Sequence, residues 1–166
     1  MINDQLLNIN NLKATLDDKI ILDNFNISVK YDESHVLMGP NGVGKSTLAK
    51  ILAGGYNDYT VSGNIIFDKC DLLSMSVNDL SLKGIFLCFQ HPIEINGLSN
   101  FQFFKSIINV KRKHENLDPI NNDEFLLKVK NYMDLLKIKE DFLYRYVNDG
   151  FSGGEKKKMK FCKCYY

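Results

Sequence analysis

The feature that most constrains the fold is a glycine loop placed between an apolar run and a helical pattern. Residues 39–46 read Gly-Pro-Asn-Gly-Val-Gly-Lys-Ser and fit G-x-x-x-x-G-K-[ST] at every fixed position. The apolar run at residues 35–38 precedes this loop, and residues 46–53 have helical spacing that ends at two glycines. A phosphate-binding loop requires this order of strand, loop and helix. The sequence therefore predicts these three elements and an α/β fold.

The residue types of the glycine loop suit a nucleotide, ATP being the expected one, bound together with Mg²⁺. Glycines allow successive backbone N–H groups to surround the α and β phosphates at a helix N-terminus. Lys45 can reach the β and γ phosphates, the Ser46 hydroxyl can bind Mg²⁺, and Thr47 would support the α phosphate. The predicted nucleotide-binding residues are Gly39, Pro40, Asn41, Gly42, Val43, Gly44, Lys45, Ser46 and Thr47. A chance glycine turn before a capped helix is the alternative, and the order of the flanking elements disfavours it.

Composition excludes several other classes of function. The chain has 166 residues, 45% of them apolar, which is the size and apolar content of one domain. Its net charge of +1 gives no basis for general nucleic-acid binding. No apolar run approaches the roughly 20 residues of a membrane span, and the N-terminus lacks the regions of a secretory signal. We therefore expect no direct membrane insertion, and a location in the cytoplasm or, for an organellar gene, in the organelle stroma.

The hydrophobic pattern predicts a strand-rich first half and a helical second half. Apolar and polar residues alternate in stretches that predict antiparallel strands at residues 5–13, 20–22, 25–31 and 61–67. Residues 84–89 are apolar on both faces, which is typical of a buried parallel strand. Beyond Pro92 we expect a helical subdomain over about residues 92–150, with one helix at residues 101–110. A polar connector at residues 111–121 leads to a second helix opened by a capping box at Asn121 and Glu124, with its apolar face at Phe125, Val129, Tyr132 and Leu136.

A second motif narrows the class of nucleotide-binding protein. Ser152, Gly153 and Gly154 form a small-residue turn before a lysine-rich helix start, and could present a hydroxyl and backbone N–H groups to a phosphate. Alone, such a turn is more often a linker. About a hundred residues after a phosphate-binding loop, it resembles the signature of ATP-binding-cassette (ABC) ATPases. That resemblance implies that the turn meets the γ phosphate held by the glycine loop of a second subunit.

The same resemblance implies a role for Gln90. It occupies the place of the Q-loop glutamine, which in this family senses Mg²⁺ and the attacking water and couples to partner proteins. The implied catalytic residues are then Lys45 and Gln90, and the implied metal-binding residues are Ser46 and Gln90. Considered alone, Gln90 would be a surface residue at the end of a strand.

Two stretches resemble one branch of the ABC ATPases more closely. Residues 84–100 are similar to G-I-F-L-A-F-Q-x-P-x-E-I-x-G-V-S-N, and residues 147–157 to V-N-x-G-F-S-G-G-E-K-K, both from the SufC family of SUF iron–sulfur cluster assembly. The resemblance implies a soluble ATPase that docks on the SufB and SufD scaffold proteins and forms a transient homodimer around ATP. It identifies residues 1–158 as a partial ABC ATPase nucleotide-binding domain, with a P-loop core, an antiparallel β subdomain and a helical subdomain.

The sequence departs from that family after the signature. The family has a strand ending in Asp-Glu there, followed by a D-loop and a switch histidine, and residues 156–166 contain none of these. Metal placement and the general base would both be missing, so we expect no hydrolysis by this chain and at best weak nucleotide binding. The missing strand would leave the parallel sheet open, so we expect only marginal stability. Residues 159–166 are predicted to be an out-of-frame tail, because the neighbouring reading frame of residues 156–166 can encode the N-E-I-L-Q-M continuation of SufC. The alternatives are the ATP-binding subunit of an ABC transporter and a non-functional remnant.

Overall fold

The computed structural model describes residues 4–89 and 93–164, with side chains described as far as Met159. The chain divides into a first unit, Met1–Leu87, and a second unit, Cys88–Tyr166. Each unit has its own hydrophobic core. The two predicted nucleotide-binding motifs fall one in each unit.

The first unit is built on an antiparallel sheet. Strands β1 (Gln5–Leu16) and β2 (Lys19–Lys30) form a long hairpin, and β3 (Thr60–Phe67) and the short β4 (Cys70–Asp71) complete the order β2-β1-β3-β4. Asp17 and Asp18 both have positive φ, which is typical of a two-residue hairpin turn. Antiparallel strands thus form at the predicted places, with the stretches predicted at residues 20–22 and 25–31 joined in the single strand β2.

Helix α1 (Lys45–Leu52) begins at the end of the glycine loop, as predicted. A 3₁₀ turn (Leu72–Ser74) and helix α2 (Val77–Leu82) follow the sheet, and a reciprocal capping box between Ser76 and Asp79 opens α2. The apolar sides of the sheet and helices form the first core: Ile9, Leu12, Ala14, Leu22, Leu48, Ile51, Ile65, Leu72 and Leu80. This core supports the base of the glycine loop through Leu22 and Leu48.

Two predicted strands are not formed. Residues 35–38 and 85–89 have no regular secondary structure, and the side chains of Val36 and Met38 are 82% and 84% exposed. A parallel strand is stabilised by ladders to neighbouring strands, and within residues 4–89 and 93–164 neither segment pairs with one. The apolar pattern alone is therefore not sufficient to form these strands, and the glycine loop follows a segment without regular secondary structure.

The second unit is mainly helical. It contains the strand pair β5 (Ile95–Ser99) and β6 (Tyr146–Val147), helices α3 (Asn100–His114), α4 (Asn122–Leu136) and α5 (Gly153–Cys164), and a 3₁₀ turn (Glu140–Leu143). Its core consists of Phe104, Ile108, Ile120, Phe125, Val129, Met133, Ile138, Leu143, Phe151 and Met159. Helix α3 includes residues 111–114, which we predicted as connector, and their basic side chains suit a helix C-terminus. Helix α5 runs through the predicted boundary at residue 159.

Helix α4 begins where predicted, but the predicted capping box is not completed. Asn121 caps the helix through a 2.9 Å bond from the Glu124 backbone N–H, whereas the Glu124 carboxylate contacts Arg112 and Lys128 instead of completing a capping box. The buried residues are Phe125, Val129 and Met133. Tyr132 and Leu136 of the predicted apolar face are half-buried, and Leu136 packs against the core of the second unit.

Candidate functional site: a phosphate loop and a serine-glycine turn

Gly44 joins the glycine loop to α1 in a conformation that only glycine adopts readily. It is buried with φ +96°, and its carbonyl accepts the first helical bond, 2.9 Å from the Leu48 backbone N. A Cβ at Gly44 would lie 2.7 Å from Leu22 Cδ2 and 2.9 Å from the Ile21 carbonyl oxygen. The hairpin thus fixes where α1 begins, and any side chain at position 44 would displace it.

The Lys45 side chain turns back across the loop. Its Nζ donates hydrogen bonds to the carbonyl oxygens of Gly39, over 2.7 Å, and of Pro40, over 2.6 Å. These bonds use two of the three ammonium donors. The cation therefore lies on the loop backbone at the N-terminus of α1, where helix geometry and charge both favour an anion.

The remaining loop residues are accessible. Asn41, Val43 and Ser46 are exposed and Thr47 is half-buried. No atom lies within 4 Å of the Cβ that Gly42 would carry, so its φ of +84° rather than packing explains the glycine. Backbone N–H groups of the first turn have no partner within their own helix. Together with the Lys45 ammonium and the Ser46 hydroxyl, these donors fit a polyphosphate.

The same residues fit Mg²⁺ carried by that phosphate. Ser46 offers one hydroxyl oxygen, and Mg²⁺ in such sites takes its other ligands largely from phosphate and water. Among the residues that the structure describes, no group of three or more His, Cys, Asp or Glu side chains could hold a metal.

The signature turn, defined as Ser152, Gly153 and Gly154, opens α5 in the second unit. The backbone N–H of Ser152 donates to Glu155 Oε2 over 2.7 Å, and the backbone N–H of Glu155 donates to Ser152 Oγ over 3.3 Å. The backbone and hydroxyl bonds from Ser152 hold the pKa of Glu155 below its usual value. A Cβ on Gly153 or Gly154 would meet no atom within 4 Å, so neither glycine is required by packing. The turn thus leaves open space beside the serine.

An arginine and two aromatic rings hold the residues before the signature turn. The Arg145 guanidinium lies 4.9 Å from the Phe142 ring centre and 4.6 Å from that of Phe151, and donates to the Gly150 carbonyl over 3.1 Å. The Phe142 and Phe151 rings meet edge to face with centres 5.0 Å apart. These contacts fix the entry of the chain into α5.

Sequence reasoning missed two residues that support the signature turn. Asn148 is 2% exposed with φ +60°, and its amide donates to the Ile93 carbonyl over 2.6 Å. Lys156 forms a 2.7 Å ion pair with Glu94. An asparagine before Asp-Gly is a local signal for a left-handed turn and could have been noticed. No sequence pattern indicates the ion pair.

The structure brings residues 39–47 together in the first unit and residues 152–154 together in the second. Gln90 lies outside the described residues, so its predicted role stays a prediction. No helix within the described part of the chain is long and apolar enough to cross a membrane.

The fold and the glycine loop define the class as an α/β domain with a phosphate-binding-loop motif, an antiparallel sheet and a helical part. Residues 22–166 match the ABC transporter family, and the chain therefore belongs to that family. Its fold is similar to that of the ATP-binding cassette MJ0796, solved as a dimer bound to ADP and phosphate, with a TM-score of 0.75, 19% identity, and coverage of 95% of this chain and 68% of that one. It is also similar to the cassette MJ1267, with a TM-score of 0.72, 22% identity, and coverage of 96% and 64%.

Several curated relatives are similar in sequence. The probable ATP-dependent transporter ycf16 of Cyanidium caldarium is 41% identical over 153 residues, covering 92% of this chain and 60% of the relative. A probable ATP-dependent transporter of Synechocystis is 42% identical, covering 92% and 60%. A probable ABC transporter ATP-binding protein of Streptococcus pyogenes is 39% identical, covering 92% and 59%. The chain thus spans about three fifths of the length of these relatives.

Proposed function

We propose that this chain is the ATP-binding part of an ABC-type ATPase that serves SUF iron–sulfur cluster assembly. Lys45 and Ser46 hold the β and γ phosphates of ATP and its Mg²⁺, and the other residues from Gly39 to Thr47 surround the phosphates with backbone N–H groups. Lys45 and Gln90 are the proposed catalytic residues, with Ser46 and Gln90 touching the metal. The proposal for the glycine loop is supported by the position of the Lys45 ammonium on the loop backbone.

The assignment to SUF assembly is supported by a contact between the two SufC-like stretches. Ile95 of the first stretch pairs with Val147 of the second, and Asn148 and Lys156 contact Ile93 and Glu94. The residues that carry the resemblance therefore form one structural feature instead of two unrelated surface motifs.

We propose that ATP drives self-association of the chain. Ser152, Gly153 and Gly154 of one copy would cover the phosphates held by Lys45 and Ser46 of the other. The open space beside Gly153 and Gly154 supports this role, because backbone that approaches a phosphate closely has no room for a side chain. In the intact ATPase, association and hydrolysis would rearrange the SufB and SufD scaffold.

The test is co-purification of the tagged chain with SufB and SufD in the presence and absence of Mg²⁺-ATP. We expect capture of the scaffold proteins by the wild-type chain and by the binding-deficient Lys45→Ala variant, with an ATP-dependent change in captured amount for the wild type alone. Direct titration of ATP measures nucleotide binding separately. Wild-type chain that binds ATP but never SufB or SufD would overturn the SUF assignment and leave ATP binding intact.

The second candidate is an ATP-binding subunit of a membrane transporter. It is favoured by the names of the relatives, which describe probable ATP-dependent transporters and probable ABC transporter ATP-binding proteins. Capture of a membrane permease in the same experiment, from detergent-solubilised membranes, would support this candidate over the SUF proposal.

A further inference from the structure

Residues 93–95 of the second unit each contact a different residue of the segment that contains the signature turn. The Ile93 carbonyl accepts the bond from the buried Asn148 amide over 2.6 Å. Glu94 forms the 2.7 Å ion pair with Lys156. Ile95 pairs with Val147 in the β5–β6 ladder. A backbone ladder, a buried amide and an ion pair thus connect residues 93–95 to residues 147–156.

The ion pair acts on the residue that closes the first turn of α5. The backbone N–H of Lys156 donates to the Ser152 carbonyl over 2.9 Å, and the Lys156 ammonium is held by Glu94. A lysine in the first turn of a helix is disfavoured by the helix dipole, and the Glu94 carboxylate offsets that cost. The Glu94 side chain is 48% exposed and that of Lys156 is 26% exposed, so the pair has the modest strength of surface ion pairs.

We propose that Glu94 is a positioning residue, which holds Lys156 and through it orients the signature turn toward phosphate. This inference rests on the proposed function, because it takes a phosphate as the ligand of the turn. If Glu94 acted on the turn only through its negative charge, its removal would have the opposite effect on phosphate binding. Removing a carboxylate near the turn would then strengthen its attraction for phosphate, whereas loss of positioning weakens it.

The experiment uses the full chain as wild type, as Glu94→Gln, as the exchanged pair Glu94→Lys with Lys156→Glu, and as Glu115→Gln. Glu115 follows the end of α3, and no ion pair to it is found in the described part of the chain, so it is the matched control for loss of one carboxylate. Three quantities are measured: ATP affinity, Mg²⁺-ATP-dependent self-association by sedimentation, and the hydrogen-exchange protection factor of the Lys156 amide.

We expect Glu94→Gln to lower the protection factor of the Lys156 amide about two- to fivefold and to weaken self-association by a similar factor. ATP affinity should stay unchanged, because the glycine loop holds the nucleotide in the first unit. The exchanged pair should restore both properties, and Glu115→Gln should match the wild type. If Glu94 only stabilised the fold, Glu94→Gln would weaken ATP binding and self-association together.

An unchanged protection factor in Glu94→Gln, stronger self-association in that variant, or failure of the exchanged pair to restore the wild-type values would each overturn the positioning role. Wild-type chain that does not bind ATP would instead overturn the proposed function. The protection factors of the four proteins would still decide whether Glu94 orders the turn.

Discussion

The carboxylate of Glu155 accepts a hydrogen bond from the backbone N–H of Ser152 over 2.7 Å. The serine that we propose to meet phosphate is thus already bonded to an anion three residues along the chain. The return bond, from the Glu155 backbone N–H to Ser152 Oγ, completes a capping box at the start of α5. The Ser152 backbone N–H and then the Ser152 hydroxyl, both bonded to the carboxylate, lower the pKa of Glu155, and this gives the first prediction.

We predict that acid weakens the start of α5 through Glu155. Because the folded pKa lies below the unfolded value of about 4.3, the stabilisation is fully present above that value and is lost as pH falls through the lower folded pKa. Amide exchange of Lys156, corrected for the intrinsic pH dependence, should therefore show a loss of protection in acid. The Glu155→Gln variant keeps a side-chain acceptor without the titration, and its protection should not show that transition. An identical transition in both proteins would contradict this assignment.

Gly44→Ala should destabilise the first unit strongly. The new Cβ would meet Leu22 and the Ile21 carbonyl at less than 3.0 Å, at a backbone φ of +96°. Strain and overpacking together predict a loss of roughly 2–5 kcal/mol in the free energy of unfolding. Exchange of the β1 amides in a urea series measures this loss.

Gly42→Ala is the matched control for Gly44→Ala. Gly42 also has positive φ, but its Cβ would meet nothing within 4 Å. Only the conformational cost remains, which is about 1 kcal/mol. Equal losses for the two variants would show that the contact with Leu22 does not decide where α1 begins.

Lys45→Ala should weaken ATP binding by at least about tenfold, because a charge-assisted bond to phosphate is lost. The fold should be retained, since the Lys45 ammonium bonds only the accessible carbonyl oxygens of Gly39 and Pro40. Titration calorimetry measures the affinity, and circular dichroism the fold. Lys50→Ala, at an exposed position of the same helix, is the control and should bind ATP as the wild type does.

Phe125→Ala should cost the second unit about 3–5 kcal/mol in unfolding free energy. The Phe125 side chain is fully buried and meets the Phe101 ring edge to face, with ring centres 4.7 Å apart. Leu127→Ala on the same helix removes a side chain that is 68% exposed and should cost about 0.5 kcal/mol or less. Hydrogen-exchange protection of the α4 amides measures the loss of unfolding free energy in both variants. Similar losses in the two variants would be inconsistent with the burial pattern of the helix.

The sequence was informative where structure is set by neighbours along the chain. The start of α1 after the glycine loop and the cap at Asn121 depend on residues a few positions apart, and each forms where predicted. The predicted apolar face of α4 included Tyr132 and not Met133, because residues seven and eight positions after Phe125 both fall near the same helix face. The burial of Met133 is decided by its tertiary neighbours in the second core.

The features that the sequence did not predict depend on residues that are distant in sequence. Residues 35–38 and 85–89 have the composition of strands, but a strand forms only where another strand pairs with it. The ion pair between Glu94 and Lys156 joins residues 62 positions apart, and no local pattern indicates it. No local pattern indicates the hydrogen bond from the Asn148 amide to the Ile93 carbonyl either. The left-handed conformation of Asn148, by contrast, is indicated by the Asp-Gly that follows it.

The two hydrophobic cores also differ in when they can form. Every residue of the first core precedes residue 81, and every residue of the second follows residue 103. Because a chain is synthesised from its N-terminus and domains fold as units, the first core can be complete before the second has been made. The glycine loop, which rests on Leu22 and Leu48, would then take shape on the nascent chain before the signature turn exists.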